Sequence, residues 1–211
     1  MRLVLIGGGG HASDVLAAFE EIHTLVGTAH PVIGWVDDEL VDERRFAGRG
    51  VGSLGTVDQL GEIDATHYLL AVGWPATRER LLSRLQGSSL TPATLVHPGA
   101  SVHRSVQVGA GSVVLGGAHL SPNSSVGAHV LVSYAALVGH DCEVQDLVSV
   151  MPGAAVSGDT VLERACIIGT NATVIEGVRV GAGATLGAGA VAVADIPPGV
   201  TAVGVPARWP A

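Results

Sequence analysis

The chain has 211 residues, of which 30 are glycine, and its charged residues make up only 14%, against usual shares of ~7% and ~25%. Aliphatic side chains remain abundant, so the composition excludes a disordered chain and argues against a helical bundle, whose interior glycine weakens. The net charge is −8, from 19 acidic residues against 11 basic ones, all arginine; no basic stretch offers a surface for nucleic acid or an anionic membrane.

The opening MRLVLIGGGG reads as a short buried strand broken by four glycines, too short and wrongly flanked for a signal peptide or a membrane span, and a cytoplasmic protein is expected. A helix is predicted from His11 to about Ile22. PVIGWVDD follows as a second strand that ends at Asp37 and Asp38, then a third strand at His67–Val72 and a helix from Pro75 to about Leu85, where proline suits the first helical position. Alternating strands and helices predict a small parallel sheet covered by helices, a Rossmann-like domain over residues 1–91. Gly7, Gly9 and Ala12 fit GxGxxA after a strand. Some 90 residues are too few for both halves of a dinucleotide fold, but half suffices for a nucleotide carried on another group. The backbone N–H groups of the loop suit phosphate, and Asp37 or Asp38 suits a base or ribose. The competing reading is a tight glycine turn beside a solvated acidic strand end.

From Val96 to Leu186 every sixth residue is aliphatic, through Val102, Val108, Val114, Leu120, Val126, Val132, Val138, Val144, Val150, Val156, Leu162, Ile168, Val174 and Val180. A small or β-branched residue stands two places earlier, as in Ala136, Cys142, Ala154, Cys166 and Ala172. A spacing of two puts both on one strand face, so each hexapeptide supplies one short strand and a corner, and three such units close a coil. Residues 92–211 are thus expected to form a parallel β-helix of about five coils. Gly109, Gly127, Gly139, Gly169, Gly181 and Gly187 directly follow aliphatic positions, and the sharp turns are expected there. Pro197, Pro198 and Gly199 are expected to stop the repeat. Cys142 and Cys166 sit at inward positions, which points to buried thiols rather than a disulfide or a metal site.

GGGGHA, the GWVDD strand end and the hexapeptide repeat together resemble the family of bacterial sugar acetyltransferases, and VGHDC resembles its catalytic segment. The resemblance implies a left-handed β-helix, a homotrimer with active sites between subunits, and acetyl-CoA as co-substrate. It implies an acceptor that is a nucleotide-linked amino sugar or, alternatively, a sialic-acid-like sugar acetylated on oxygen; a catalytically silent scaffold that binds sugar nucleotides is the third reading. The front domain would hold the acceptor through Gly8, Gly9, Gly10, His11, Asp37 and Asp38, with His11 equally readable as a cap on the loop. His140 becomes the general base and Asp141 the carboxylate that orients it. Eighteen residues on, one coil along, Gly158 stands as candidate oxyanion donor or as a permissive corner residue. CoA is placed near Asn171, Ala172, Gly187, Ala188 and Pro206, with Arg179 or Arg208 either meeting its phosphates or facing solvent. No metal is required: a zinc hydratase needs a histidine pair five apart, and His140 has Gln145 and Ala135 at that spacing. The chain departs from the family pattern at Asp141, where glutamate is frequent, and at Ser133, where asparagine is frequent; the shorter Asp141 arm would loosen the histidine contact. The other histidines form no motif and read as structural.

Overall fold

A computed structural model describes residues 1–210. Contacts divide it into two compact units that meet between Thr94 and Leu95, three residues beyond the expected break. The front unit runs as β1 (Leu3–Ile6), α1 (Gly10–Val26), β2 (Val32–Val36), two 3-10 turns at Glu43–Phe46 and Val57–Glu62, β3 (His67–Leu70), α2 (Pro75–Arg84) and β4 (Thr91–Pro92). The last strand explains the later break, because Thr91 pairs with His67 and closes the front sheet. The sheet is parallel, in the order β2-β1-β3-β4. All four residues of β1 are buried, as expected of a central strand covered on both faces. Helix α1 runs four residues past its expected end, until Gly27 takes a left-handed φ of 68°.

The second unit is the left-handed β-helix. Its two-residue strands stack into three parallel sheets of seven, six and five strands, which makes six coils rather than about five. Register advances by one coil between neighbours, as where Val138 pairs with Val156. The repeat outlasts its aliphatic signature: Val191–Ala192 pairs with Thr173–Val174, and after the two prolines Thr201–Ala202 still joins Thr185–Leu186. Alanine fills the inward place in both strands, so the coil continues without the large side chain that marks the period. The sixfold aliphatic residues and their small partners form one continuous core, in which Val138, Val156, Ala136, Ala154 and Cys166 are fully buried.

The turns fall elsewhere than expected. The left-handed position recurs every six residues from Gly111 to Gly189, three places after each aliphatic residue. Asn123, His129, Ala135, Asp141, Leu147, Asp159, Ala165 and Asn171 occupy it with φ of 53–64°. The glycines directly after the aliphatic residues serve a different need. A Cβ on Gly139 would stand 2.6 Å from Gly158 N and 2.7 Å from Ser157 C, backbone atoms of the next coil. Those glycines are set by the spacing between coils, not by the turn.

Candidate active site

Corner residues lie outside the core by construction, and His140 is one of them, its side chain 56% exposed. Its Nδ1 lies 2.8 Å from Asp141 Oδ2. Asp141 holds a φ of 57°, a conformation aspartate tolerates better than most residues, and its short arm closes the contact that the sequence suggested would be loose. The other oxygen, Oδ1, accepts a 3.0 Å hydrogen bond from Asn123 Nδ2, and Asn123 N donates to Ser105 Oγ at 2.9 Å. Ser105, Asn123 and Asp141 are successive coils of one corner column, so a chain of hydrogen bonds runs down the edge into the histidine. An ionised carboxylate only accepts, which assigns the proton to Nδ1 and leaves Nε2 as the lone-pair nitrogen. The hydrogen bond that His140 donates to Asp141, then the charges of Asp141, Asp159 and Glu176, raise the His140 pKa above its ordinary 6.5, and His140 with Asn123 holds Asp141 below the usual carboxylate range.

Gly158 lies directly beside this ring. A Cβ placed on it would stand 2.4 Å from His140 Cε1 and 2.6 Å from Nε2. Its φ is outside the left-handed region, so the missing side chain makes room for the imidazole rather than permitting a turn. Gly158 O accepts from Gly177 N at 3.0 Å, while its own N–H donates to no group among the described residues. Ser133 is buried and its side chain bonds to neither member of the pair; the amide that meets Asp141 belongs to Asn123. Sequence reasoning missed Asn123, although a step of eighteen residues back from Asp141 finds it.

The residues assigned to CoA do not gather at one place in a single chain. Asn171, Gly187 and Ala188 belong to a second corner, where a Cβ on Gly187 would press within 2.8 Å of Val203 Cγ1; Ala172 instead faces inward and is fully buried in the prism core, so its side chain is not available to CoA. Arg179 lies on the third face, its guanidinium 2.9 Å from Glu163 Oε1. Pro206 and Arg208 belong to the closing segment, which doubles back through the Val203–Arg208 bridge; Arg208 Nη1 donates to Ala207 O at 2.8 Å.

In the front unit the chain after β1 and the chain after β3 leave the sheet in opposite directions, and the crevice at such a switch point is where open parallel sheets bind ligands. A cavity of about 470 Å³ occupies it, lined by Gly7, Gly9, Gly10, His11, Asp37 and Asp38 on one side and by Trp74, Thr77, Arg80 and Leu81 of α2 on the other. Gly8 stays glycine because a Cβ would collide with Trp35 and Val41 at 2.5–2.8 Å. The acidic pair is committed to the fold. Asp37 Oδ2 accepts from Gly8 N at 2.7 Å and Oδ1 from Glu39 N at 3.0 Å. Asp38 pairs with Arg84 and accepts from Val57 N at 3.1 Å, and Arg84 holds its pKa down. Gly9 caps α1 with no side-chain bond, and a Cβ on Gly9 or Gly10 would meet nothing within 4 Å, so the helix start is open to an anion. Desolvation, then the charge of Arg78, lowers the His11 pKa to about 4, so this histidine is neutral near pH 7. The buried Arg78 ties the start of α2 down, donating to Val72 O at 3.0 Å and Gly73 O at 2.8 Å. Trp74, Thr77, Arg78 and Arg80 carried no motif and were absent from the sequence reading.

Residues 2–85 match the PglD N-terminal domain family. The GDP-perosamine N-acetyltransferase of Escherichia coli O157:H7 is 31% identical over 147 residues, 67% of this chain; the chain spans only 66% of that relative. PerB from Caulobacter crescentus, solved with CoA and GDP-perosamine, is 30% identical with a TM-score of 0.86 over 100% of this chain and 98% of that one. The acetyltransferase domain of PglB from Neisseria gonorrhoeae FA1090, solved with acetyl coenzyme A, is 33% identical with a TM-score of 0.85 over 99% and 98% of the two chains. Likeness over both units, the front domain and the six-coil prism alike, shows that the chain belongs to the bacterial sugar acetyltransferase family.

Proposed function

We propose that the protein is an acetyl-CoA-dependent N-acetyltransferase that acts on a nucleotide-linked amino sugar by direct transfer. One observation carries the reading: an imidazole on an outer corner of the prism, braced by Asp141 at Nδ1 and left with its basic Nε2 unengaged. The similarity to enzymes named for GDP-perosamine and solved with CoA and GDP-perosamine supports the substrate class.

Here His140 takes the proton as the acceptor amine attacks the thioester carbonyl. The N–C bond forms, the C–S bond breaks, and the proton passes from the imidazolium to the departing CoA sulfur. Asp141 stabilises the imidazolium and Asn123 fixes Asp141. The free Gly158 N–H serves the developing oxyanion. Cys142 stays out of the chemistry, because burial raises its thiol pKa and its side chain donates to Ser157 O at 3.1 Å. The front domain, residues 1–91, holds the nucleotide through Gly9, Gly10 and His11, with Asp37 and Asp38 shaping the cavity wall, while Gly8, buried with its N–H given to Asp37 Oδ2, supports the loop from behind.

CoA is bound in a homotrimer. That assembly supplies what one chain lacks: Asn171, Gly187, Ala188, Pro206 and Arg208 lie away from the His140 corner, and a neighbour's copies of them complete the site. Arg179, already paired with Glu163, has the weaker claim on a phosphate. The protein works in the cytoplasm; no helix among the described residues is long and apolar enough to cross a membrane.

The test is acetyl-CoA-dependent gain in mass on GDP-, UDP- and CMP-linked amino sugars. Acetylation of a nucleotide-linked amine that is lost in His140→Ala, with assembly preserved, supports the reading. Acetylation confined to sugar hydroxyls or to free sugars refutes it.

A further inference from the structure

The cavity of the front unit has two walls, and only the glycine loop with its acidic neighbours has so far been given a role. The opposite wall is one face of α2: Trp74 at its N-cap, then Thr77, Arg80 and Leu81, spaced so that they line up along the helix. Trp74 is 63% exposed. A large aromatic ring left half in water at a cavity mouth forgoes substantial burial, and such rings concentrate where something else covers them. It is not a spare core residue. The other two tryptophans are accounted for: Trp35 is buried and stacked on Phe46 at 4.0 Å, and Trp209 packs against the prism core.

Charge narrows the ligand further. Each oxygen of Asp37 already accepts an N–H, and Asp38 is held by Arg84 and Val57. Arg78 is buried against Val72 O and Gly73 O, and Arg84 bridges Asp38 and Asp58. Arg80 alone among the arginines of α2 lines the cavity; it forms no hydrogen bond or ion pair among the described residues, and its charge acts on Asp38 only through space. A guanidinium with no hydrogen-bonded partner, a helix start with no side-chain cap and an exposed indole around about 470 Å³ suit a ligand with an anionic end and a flat aromatic end.

We propose that α2 reads the nucleotide: Trp74 stacks on the base of a nucleoside diphosphate and Arg80 meets its diphosphate. This rests on the reading of the front unit as the nucleotide-holding domain and goes beyond it by naming the residues that recognise base and charge separately. Stacking tolerates any base but gains with ring area, so a purine diphosphate binds more tightly than a pyrimidine one.

Calorimetric titration of the full-length protein, without acetyl-CoA, with GDP, UDP and inorganic pyrophosphate tests it. Trp74→Ala is expected to weaken GDP by about 5- to 150-fold, the range for loss of one stacked base, to abolish the preference for GDP over UDP, and to leave pyrophosphate unchanged. Trp74→Phe restores most of the GDP affinity, and GDP quenches indole emission in the wild type but not in Trp74→Ala. Arg80→Gln weakens all three ligands, by a factor that shrinks as salt rises. Trp74→Ala that binds GDP like the wild type, or that loses pyrophosphate in equal measure, overturns the stacking role while the nucleotide domain stands. A wild-type protein that binds neither GDP nor UDP overturns the domain reading itself, and the proposal with it.

Discussion

Gly139 and Gly158 stand on neighbouring coils at the same edge, yet adding one methyl group to each is expected to do opposite things. In Gly158→Ala the new Cβ lies 2.4 Å from His140 Cε1, about 1 Å inside ordinary contact. The backbone accepts alanine, because its φ is not left-handed, and the obstructing atoms are the far end of an exposed side chain. The ring swings away at little cost, and removing a glycine from the unfolded chain returns about 0.4–1 kcal/mol, so stability stays within ~1 kcal/mol of wild type. Transfer suffers instead: a base displaced by ~1 Å loses on the order of 100-fold in kcat. The amide of residue 158 survives the substitution, so the loss reports ring position and not the oxyanion donor. In Gly139→Ala the methyl meets Gly158 N at 2.6 Å and Ser157 C at 2.7 Å. That backbone is held by Ser157 N donating to Val174 O at 2.9 Å and cannot retreat. Overpacking of this kind costs about 1–3 kcal/mol, a fall in melting temperature of about 2–4 °C per kcal/mol for a chain of this size. Thiol release from acetyl-CoA and scanning calorimetry on both variants read the contrast. Wild-type kcat in Gly158→Ala, or a Gly139→Ala protein as stable as Gly158→Ala, refutes the reasoning.

Because Asp141 raises the His140 pKa, kcat/KM climbs with pH through a value above 6.5, and Asp141→Asn moves that acid limb to lower pH; a limb that stays put removes Asp141 from the dyad. Asn123→Ala, which strips the brace from Asp141 Oδ1, shifts the same limb with a smaller loss of rate, measured alongside. His11, with its folded pKa near 4 against 6.5, is neutral when folded and takes up a proton on unfolding. Its contribution is therefore complete above pH 6.5 and is lost as pH falls toward 4, by no more than about 3 kcal/mol, and His11→Gln flattens the urea-midpoint profile of the front unit across that window. Ala135→Gly, at an exposed site with a φ of 54°, relieves about 1–2 kcal/mol of left-handed strain against about 0.5–1 kcal/mol of added chain entropy and raises the melting temperature; an unchanged or lower value refutes the strain.

The prism was legible because its constraint is local and repeated. Every coil needs an apolar residue at the same inward position, and sixteen such positions stand in register from Val96 to Leu186. The sixth coil escaped notice because Ala192 and Ala202 fill the inward position, and alanine is too common to mark a period. The turn positions escaped for a different reason. Glycine is the residue that favours a left-handed φ, whereas coil closure imposes it three places after each aliphatic residue on whatever residue is there, Leu147 and Ala165 included. The glycines that looked like turn residues answer to the backbone one coil away, a constraint with no local signature.

The same distinction separates the two halves of the candidate site. His140 and Asp141 are adjacent in sequence, so their bond follows from one corner's geometry, and Asn123 follows from the coil period once Asp141 is known. A solenoid converts a fixed sequence interval into a fixed spatial neighbour, and each functional residue on it predicts where its helpers stand. The front unit has no such rule. Trp74 and Arg80 reach the glycine loop only because β3 lies beside β1 in the sheet, which brings α2 across the crevice from residues more than sixty positions earlier. Nothing within their own stretch of sequence marks them, and their role rests on what a folded sheet leaves exposed: an indole without cover and a guanidinium with no hydrogen bond of its own, facing a helix start with no side-chain cap.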